Sequence, residues 1–388
     1  DNRHIIEAVI EAMKVGDERR IGELMNESQR IFDEKIAPIC PSELRSPLLH
    51  QVMNDPKVRE LSLGVKGVGS HGDGTVQMIC SDEQRQRELC DYLCARGMKA
   101  YPFTLREQRS VRKAVIPVAG FGTRMFPATK VMKKELFPVV DRDGIAKPAL
   151  FLLLSELEKT GIEEIALIIG PEDEPEFDKL FKRDLAIEHY RKLPKELREC
   201  NVALQRIGQK ITYLYQREQL GFGHAVYQAK EFAGDEPVLL LLGDHLYETD
   251  NRKNCSEQLL DAYEQSGQLT VSLDEIPVER VMHYGVLSGS FLDGDERLMQ
   301  VADMVEKPTM DYAAAHLGVR DKKGNEHFYC VFGQYVLTPR VFEILERNIR
   351  QGLTTKKGEY ELTSALQEIC ATEGMMAYRI DGKRYDIG

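Results

Sequence analysis

Two stretches of the chain carry side chains whose types and spacing suit phosphate chemistry. The first is Lys113-Ala-Val-Ile-Pro-Val-Ala-Gly-Phe-Gly-Thr-Arg124, which continues into Pro127-Ala-Thr-Lys130 and Lys133-Lys134-Glu-Leu-Phe-Pro138. An apolar strand runs into a turn where Gly120 and Gly122 let the backbone approach a ligand, so that N–H groups can face phosphate oxygens. Arg124 then stands beside a polyanion, with more basic residues following in a proline-bounded turn. A glycine-rich turn alone also serves dinucleotide folds and ordinary tight turns; the accompanying cations make this one more specific. The second stretch is Val238-Leu-Leu-Leu-Leu-Gly-Asp244-His245. It reads as a buried strand delivering a carboxylate at its C-terminal end, where open α/β sheets place their ligands. Asp244 is therefore a candidate magnesium ligand, since a hard cation bridging phosphates takes one or two carboxylates and keeps several waters. His245 reads as its packed neighbour.

Positioning such groups needs a sheet. From Lys113 onward short apolar runs at Ala114 to Val118, Ile165 to Ile169, Ile211 to Tyr215, Val238 to Leu242 and Thr270 to Leu273 alternate with helical patterns. That alternation predicts an α/β fold with a largely parallel, helix-covered sheet. Ahead of it, residues 1–105 show helical periodicity through Ile5, Val9 and Met13 and again through Ile21, Leu24 and Phe32. Strands are expected over Leu61–Val65, Thr75–Cys80 and Lys99–Phe103, with a helix from Asp82 to Ala95, which suggests a small α+β, ferredoxin-like domain. The polar run over residues 106–112 reads as a linker, and residues 113–388 as the second domain.

Composition sets limits. A net charge of -11 argues against nucleic acid as a partner, which needs a basic face. The longest apolar runs fall far short of the ~20 residues that cross a bilayer, so no membrane span is expected. The 8 cysteines are scattered, as in a reduced cytoplasmic protein. The first residues, Asp1-Asn-Arg-His, lack both an initiator Met and a leader-like apolar region, which reads as a fragment boundary.

The combination of G-x-G-T-R with the later proline-bounded lysine resembles the sugar nucleotidyltransferases, most closely the bacterial UTP:glucose-1-phosphate uridylyltransferases. The resemblance implies a Rossmann-like (GT-A-like) fold with a mixed, mostly parallel sheet, and the transfer of a uridylyl group from UTP to a sugar 1-phosphate with release of pyrophosphate. It implies that Ala119, Gly120, Gly122 and Thr123 hold the triphosphate and that Arg124 and Lys134 act on the phosphates. Lys133 stands where the family usually has a small residue or Pro, so the role goes to Lys134. Gln216 and Gly221 fall in the base-recognition segment, where an amide can pair with both a carbonyl and an N–H of uracil. Asp386, in Tyr385-Asp386-Ile-Gly388, becomes the partner of Asp244 on Mg2+. Gly285, Glu306 and Lys307 are implied to contact the sugar phosphate, and Gly358–Thr363 is expected to be supporting structure.

Residues 1–105 resemble, more loosely, the C-terminal domain of the GHMP small-molecule kinases, through the glycine-rich run Gly64–Gly74 and the segments ending at Asp17 and Ser28. This implies a bifunctional kinase/nucleotidyltransferase whose upstream kinase half is not in this chain. A glycine-turn hairpin in an accessory or dimerising domain is the alternative, and a homo-oligomer is compatible with either. For the second domain the alternatives are a thymidylyl-, guanylyl- or adenylyltransferase on the same fold, or a non-catalytic sugar-nucleotide sensor.

Overall fold

The computed structural model describes residues 2–14, 16–68, 74–103, 110–292, 294–321 and 323–387. It divides into two compact units, Asp1–Gln108 and Arg109–Gly388. In the first, the expected amphipathic helices span Asn2–Lys14 and Glu18–Lys35, the latter opened by the Asp17 carboxylate accepting the Arg20 N–H. Three short helices follow, Pro41–Leu44, Pro47–Met53 and Pro56–Leu61, each started by a proline whose missing N–H has no intrahelical partner to lose. Leu61 therefore closes a helix and does not open a strand.

Strands β1 (Gly64–Gly67) and β2 (Val76–Ile79) form an antiparallel ladder, and a helix over Glu83–Cys94 follows. A Cβ on Gly64 would sit 2.3 Å from the Gly22 carbonyl oxygen, so helix and strand meet backbone to backbone. The small core is Leu49, Met53, Val58, Leu61, Val65 and Leu89. Lys99–Phe103 is not a strand: Tyr101 and Phe103 are exposed, so the alternation there has no face to bury. Among the described residues this unit has two strands, short of the four a ferredoxin-like sheet requires. Gly69–Asp73 of the glycine-rich run and residues 104–109, which include most of the proposed linker, lie outside the described residues.

The second unit is built on β3 (Lys113–Pro117), the hairpin β4 (Pro138–Val140) and β5 (Ala146–Pro148), β6 (Glu164–Ile169), β7 (Ile211–Tyr215), β8 (Val238–Leu241), β9 (His245–Glu248), β10 (Thr270–Ile276), β11 (Gly285–Phe291), β12 (Leu298–Glu306), β13 (Val319–Arg320), β14 (Glu326–Leu337), β15 (Met376–Arg379) and β16 (Lys383–Asp386). The main sheet runs β10-β15-β12-β11-β14-β8-β3-β6-β7, with β13 on β14 and further pairing of β10 with β14. The expected mixed α/β sheet is present but is not mostly parallel: parallel pairing is confined to β8, β3, β6 and β7 and to β10 with β15, because the long β14 and the β11–β12 hairpin add antiparallel neighbours. From β14 through β11 and β12 to β15 the pairings are antiparallel.

Alternation along the parallel strands supplies two cores. Val115, Ala166, Ile168 and Leu240 face a layer containing Val341, Phe342 and Leu366. Ala114, Ile116, Leu167 and Leu239 face one containing Leu150, Leu154 and Leu260. Covered on both sides, these strands are continuous apolar runs. Because β8, β3 and β6 are parallel, the loops after Leu241, Pro117 and Ile169 leave the same edge of the sheet. The separate pair β9–β16 sets Asp386 opposite His245.

Candidate active site

The glycine loop leaves β3 and closes with Gly122 at φ +68°, a conformation that favours glycine. A Cβ there would also lie 2.9 Å from Thr129 Cγ2, and the Thr129 hydroxyl donates to the Gly122 carbonyl at 3.1 Å. Gly120 has nothing within 4 Å of its missing Cβ. Gln219 donates to the Ala119 carbonyl at 3.2 Å. Thr123 and Arg124 are exposed in a short 3-10 turn, and the Arg124 guanidinium has no ion-pair partner among the described residues.

The two adjacent lysines diverge. Lys134 Nζ lies 2.6 Å from Asp244 Oδ2. Lys133 Nζ turns to Asp173 Oδ2 at 2.8 Å and the Gly120 carbonyl at 3.0 Å. Lys133 has φ -59° and ψ 139°, an extended residue between two turns, which sends neighbouring side chains to opposite sides. Glu135 follows them into the interior, 2% exposed, with Oε2 lacking a partner. Burial pushes its carboxyl up to about 7, against the pull of the two ammonium groups.

Asp244, His245 and Asp386 offer ligand atoms within 4.8 Å of one another. His245 Nε2 is 3.9 Å from Asp244 Oδ1 and 4.0 Å from Asp386 Oδ2. Burial alone would raise the Asp244 carboxyl; the Lys134 ammonium outweighs it and holds the group below its ordinary value. Burial pushes the His245 ring down to about 4, so it is neutral at pH 7. Gly333, at φ +107°, makes space for that ring, since a Cβ would fall 2.3 Å from Nδ1. One carboxylate in the turn between β8 and β9 and one at the end of β16, beside a neutral imidazole, are a donor set that fits a hard divalent cation.

Gln216 directly follows β7, and its backbone N–H donates to the Ile169 carbonyl at 2.9 Å. Its buried amide nitrogen lies 3.2 Å from the Gly221 carbonyl and 3.3 Å from His224 Nδ1, which orients the amide oxygen for a further partner. Gly221, at φ +105°, lies against Tyr360, whose backbone accepts from Gly223 N–H and donates to the Leu220 carbonyl, both at 2.8 Å. The Gly358–Thr363 segment thus clamps the loop around Gly221.

On the antiparallel side, Gly285 pairs with Glu306 across β11 and β12. A Cβ at Gly285 would be 3.0 Å from Glu306 Oε2. That oxygen accepts the Thr363 hydroxyl at 3.2 Å, and Oε1 pairs with Lys307 Nζ at 3.0 Å. Lys307 has φ +47°, a left-handed residue of about 1 kcal/mol strain, fixed by its N–H donating to the Tyr284 carbonyl at 3.0 Å.

The structure therefore joins Lys134, Asp244 and Asp386; Gly120 and Gly122 with the lysine turn; Gln216 with Gly221; and Gly285 with Glu306 and Lys307. Sequence reasoning missed Asp173 and Glu135, and it gave Thr363 no contact with Glu306. Asp173 sits in the acidic run Glu172-Asp-Glu, where nothing singles it out. Among the described residues no helix is long and apolar enough to cross a membrane.

A glycine loop with two lysines behind it and a pair of aspartates thus gather at one edge of an open α/β sheet. The chain belongs to the nucleotidyl transferase family, which it matches over residues 113–388. A UTP–glucose-1-phosphate uridylyltransferase of Staphylococcus epidermidis is 34% identical over 289 residues, 72% of this chain and 88% of the relative. The enzyme of that name from Bacillus subtilis is 34% identical over 287 residues, 72% and 87% of the two chains. A UDP-glucose pyrophosphorylase solved in complex with UDP-glucose superposes with a TM-score of 0.56 at 29% identity, over 71% of this chain and 93% of that one. The expectation of a nucleotidyltransferase is borne out.

Proposed function

We propose that residues 113–388 transfer the uridylyl group of UTP to a sugar 1-phosphate, glucose 1-phosphate first among candidates, giving a UDP-sugar and pyrophosphate. The observation that carries this reading is Lys134 Nζ 2.6 Å from Asp244, beside Asp386 at the mouth of the glycine loop, in a chain similar to UTP–glucose-1-phosphate uridylyltransferases. The Gln216 amide oxygen, left for a further partner, suits the ring N–H of a uracil-type base.

A sugar phosphate oxygen attacks the α-phosphorus, the bond from that phosphorus to the α,β-bridging oxygen breaks, and pyrophosphate leaves with that oxygen. No enzyme nucleophile is required; alignment and cancellation of developing charge suffice. Lys134 exchanges its Asp244 partner for α-phosphate oxygens. Arg124, exposed beside the loop, holds the departing pyrophosphate, with Ala119, Gly120, Gly122 and Thr123 supplying the phosphate cradle. Gly285 leaves room for the sugar, Glu306 accepts its hydroxyls and Lys307 meets its phosphate. Asp244 and Asp386 would hold magnesium, which when bound neutralises phosphate charge.

Pyrophosphate release with UTP and glucose 1-phosphate, compared with dTTP, GTP and ATP and with other sugar phosphates, tests the reading. Preference for another nucleotide moves the chain to that branch of the fold; no release with any pair favours the sensor. A chelator should abolish release and added magnesium restore it. For residues 1–105 we carry forward the GHMP-like reading, supported by the ladder that flanks the glycine-rich run; a sugar kinase activity encoded with this chain would supply the sugar 1-phosphate.

A further inference from the structure

Lys133 takes no part in the mechanism above, yet it is tightly held. Its ammonium lies 2.8 Å from Asp173 Oδ2, and both side chains are only 12% exposed. Asp173 Oδ2 also accepts the Gly170 N–H at 3.1 Å, and Gly170 directly follows β6. The same ammonium donates to the Gly120 carbonyl at 3.0 Å. A line of polar contacts thus runs from the end of a core strand, through a carboxylate and an ammonium, to the carbonyl of the first loop glycine.

A planar trans peptide points its N–H opposite its C=O, so fixing the Gly120 carbonyl fixes the direction of the Phe121 N–H, one of the loop's donors. Charges this enclosed are kept as pairs, because either one alone would be stranded without water. We propose that Lys133 and Asp173 are a positioning pair that presets the glycine loop for a triphosphate, acting through the Gly120 peptide without touching the nucleotide. The inference rests on the proposed function only in taking a triphosphate as the ligand of the loop.

The test is calorimetric titration of the full chain with inorganic tripolyphosphate and with UTP, each with magnesium, for wild type, Lys133→Met, Asp173→Asn and the double variant. Each single variant should bind both ligands about tenfold more weakly, as expected when an aligned cradle is loosened. The double variant should bind no more weakly than Lys133→Met, since both act through one unit. If Lys133 were itself a phosphate ligand, Asp173→Asn would release its ammonium and bind as tightly as wild type or tighter; that result overturns the proposal. Unchanged affinity in Lys133→Met, with or without a lower unfolding temperature, overturns it too, leaving the pair a mere brace of the fold. So does a wild-type chain that fails to bind tripolyphosphate. Normal UTP binding without pyrophosphate release from any nucleotide sinks the proposed function instead, and the affinities still decide the role of the pair.

Discussion

The two halves of the main sheet hold their functional side chains in different ways. On the parallel half, Lys133, Lys134 and Asp244 lie on loops beyond the strand ends, fixed by ion pairs that are mostly enclosed. On the antiparallel half, Gly285 and Glu306 are strand residues fixed by ladder register, while the charged Lys307 beside them is 62% exposed. Placement by charge is sensitive to the loss of one group, because its partner is left uncompensated. Placement by register degrades gradually, because the backbone keeps its course when one side chain changes.

That contrast can be broken at several points. Lys134→Ala should lower kcat by about 10³-fold or more, as expected for a preorganised cation at the reacting phosphate, with an unchanged circular dichroism spectrum. Near-normal turnover would mean that the enclosed charges of the parallel half are structural only.

Glu135→Gln probes the same turn through stability. With its carboxyl raised to about 7 in the fold, Glu135 binds a proton there that the unfolded chain releases near its ordinary value of 4.5. Its contribution is thus present in full below 4.5 and is lost as pH rises through about 7. The variant should match wild type near pH 4 and exceed it at pH 8, by on the order of 2–3 kcal/mol. Denaturant titrations showing no such divergence would mean that the turn opens to water.

On the register side the effects shrink. Gly285→Ala should raise KM for the sugar phosphate about tenfold, the equivalent of ~1.4 kcal/mol, because its Cβ displaces the Glu306 carboxylate. Thr363→Val removes one hydroxyl from Glu306 and should cost about 1 kcal/mol in the same constant, with kcat hardly moved. A loss of turnover in either variant comparable to that of Lys134→Ala would erase the distinction between the halves.

The sequence made the parallel half legible because strands buried on both faces, such as Val238–Leu241, are unbroken apolar runs. It gave less of β11 and β12, whose small, polar and apolar residues form no comparable run. Lys133 and Lys134 are identical as letters, and only the extended backbone between them separates their tasks. The Thr363 contact spans 57 positions and the Asp173 contact 40, and no local pattern marks either. In the first unit the short helices were within reach of sequence reasoning, since Asp55-Pro56 is a cap followed by proline at the first helical position. Lys99–Phe103 alternates like a strand, but alternation forms no strand where nothing waits to cover it.

The Lys134–Asp244 pair also bears on how a polyanion finds this protein. An ammonium already matched to a carboxylate is a dipole at long range, and the chain as a whole carries -11. Attraction at a distance falls to Arg124, since Lys307 is itself paired with Glu306, and Arg124 stands in solvent where about 0.15 M salt screens it beyond ~8 Å. Encounter with a nucleotide is therefore weakly steered, with association rates near those of uncharged partners and a shallow dependence on ionic strength. In the mechanism proposed above, the strong electrostatics act only after arrival, when Lys134 changes partners.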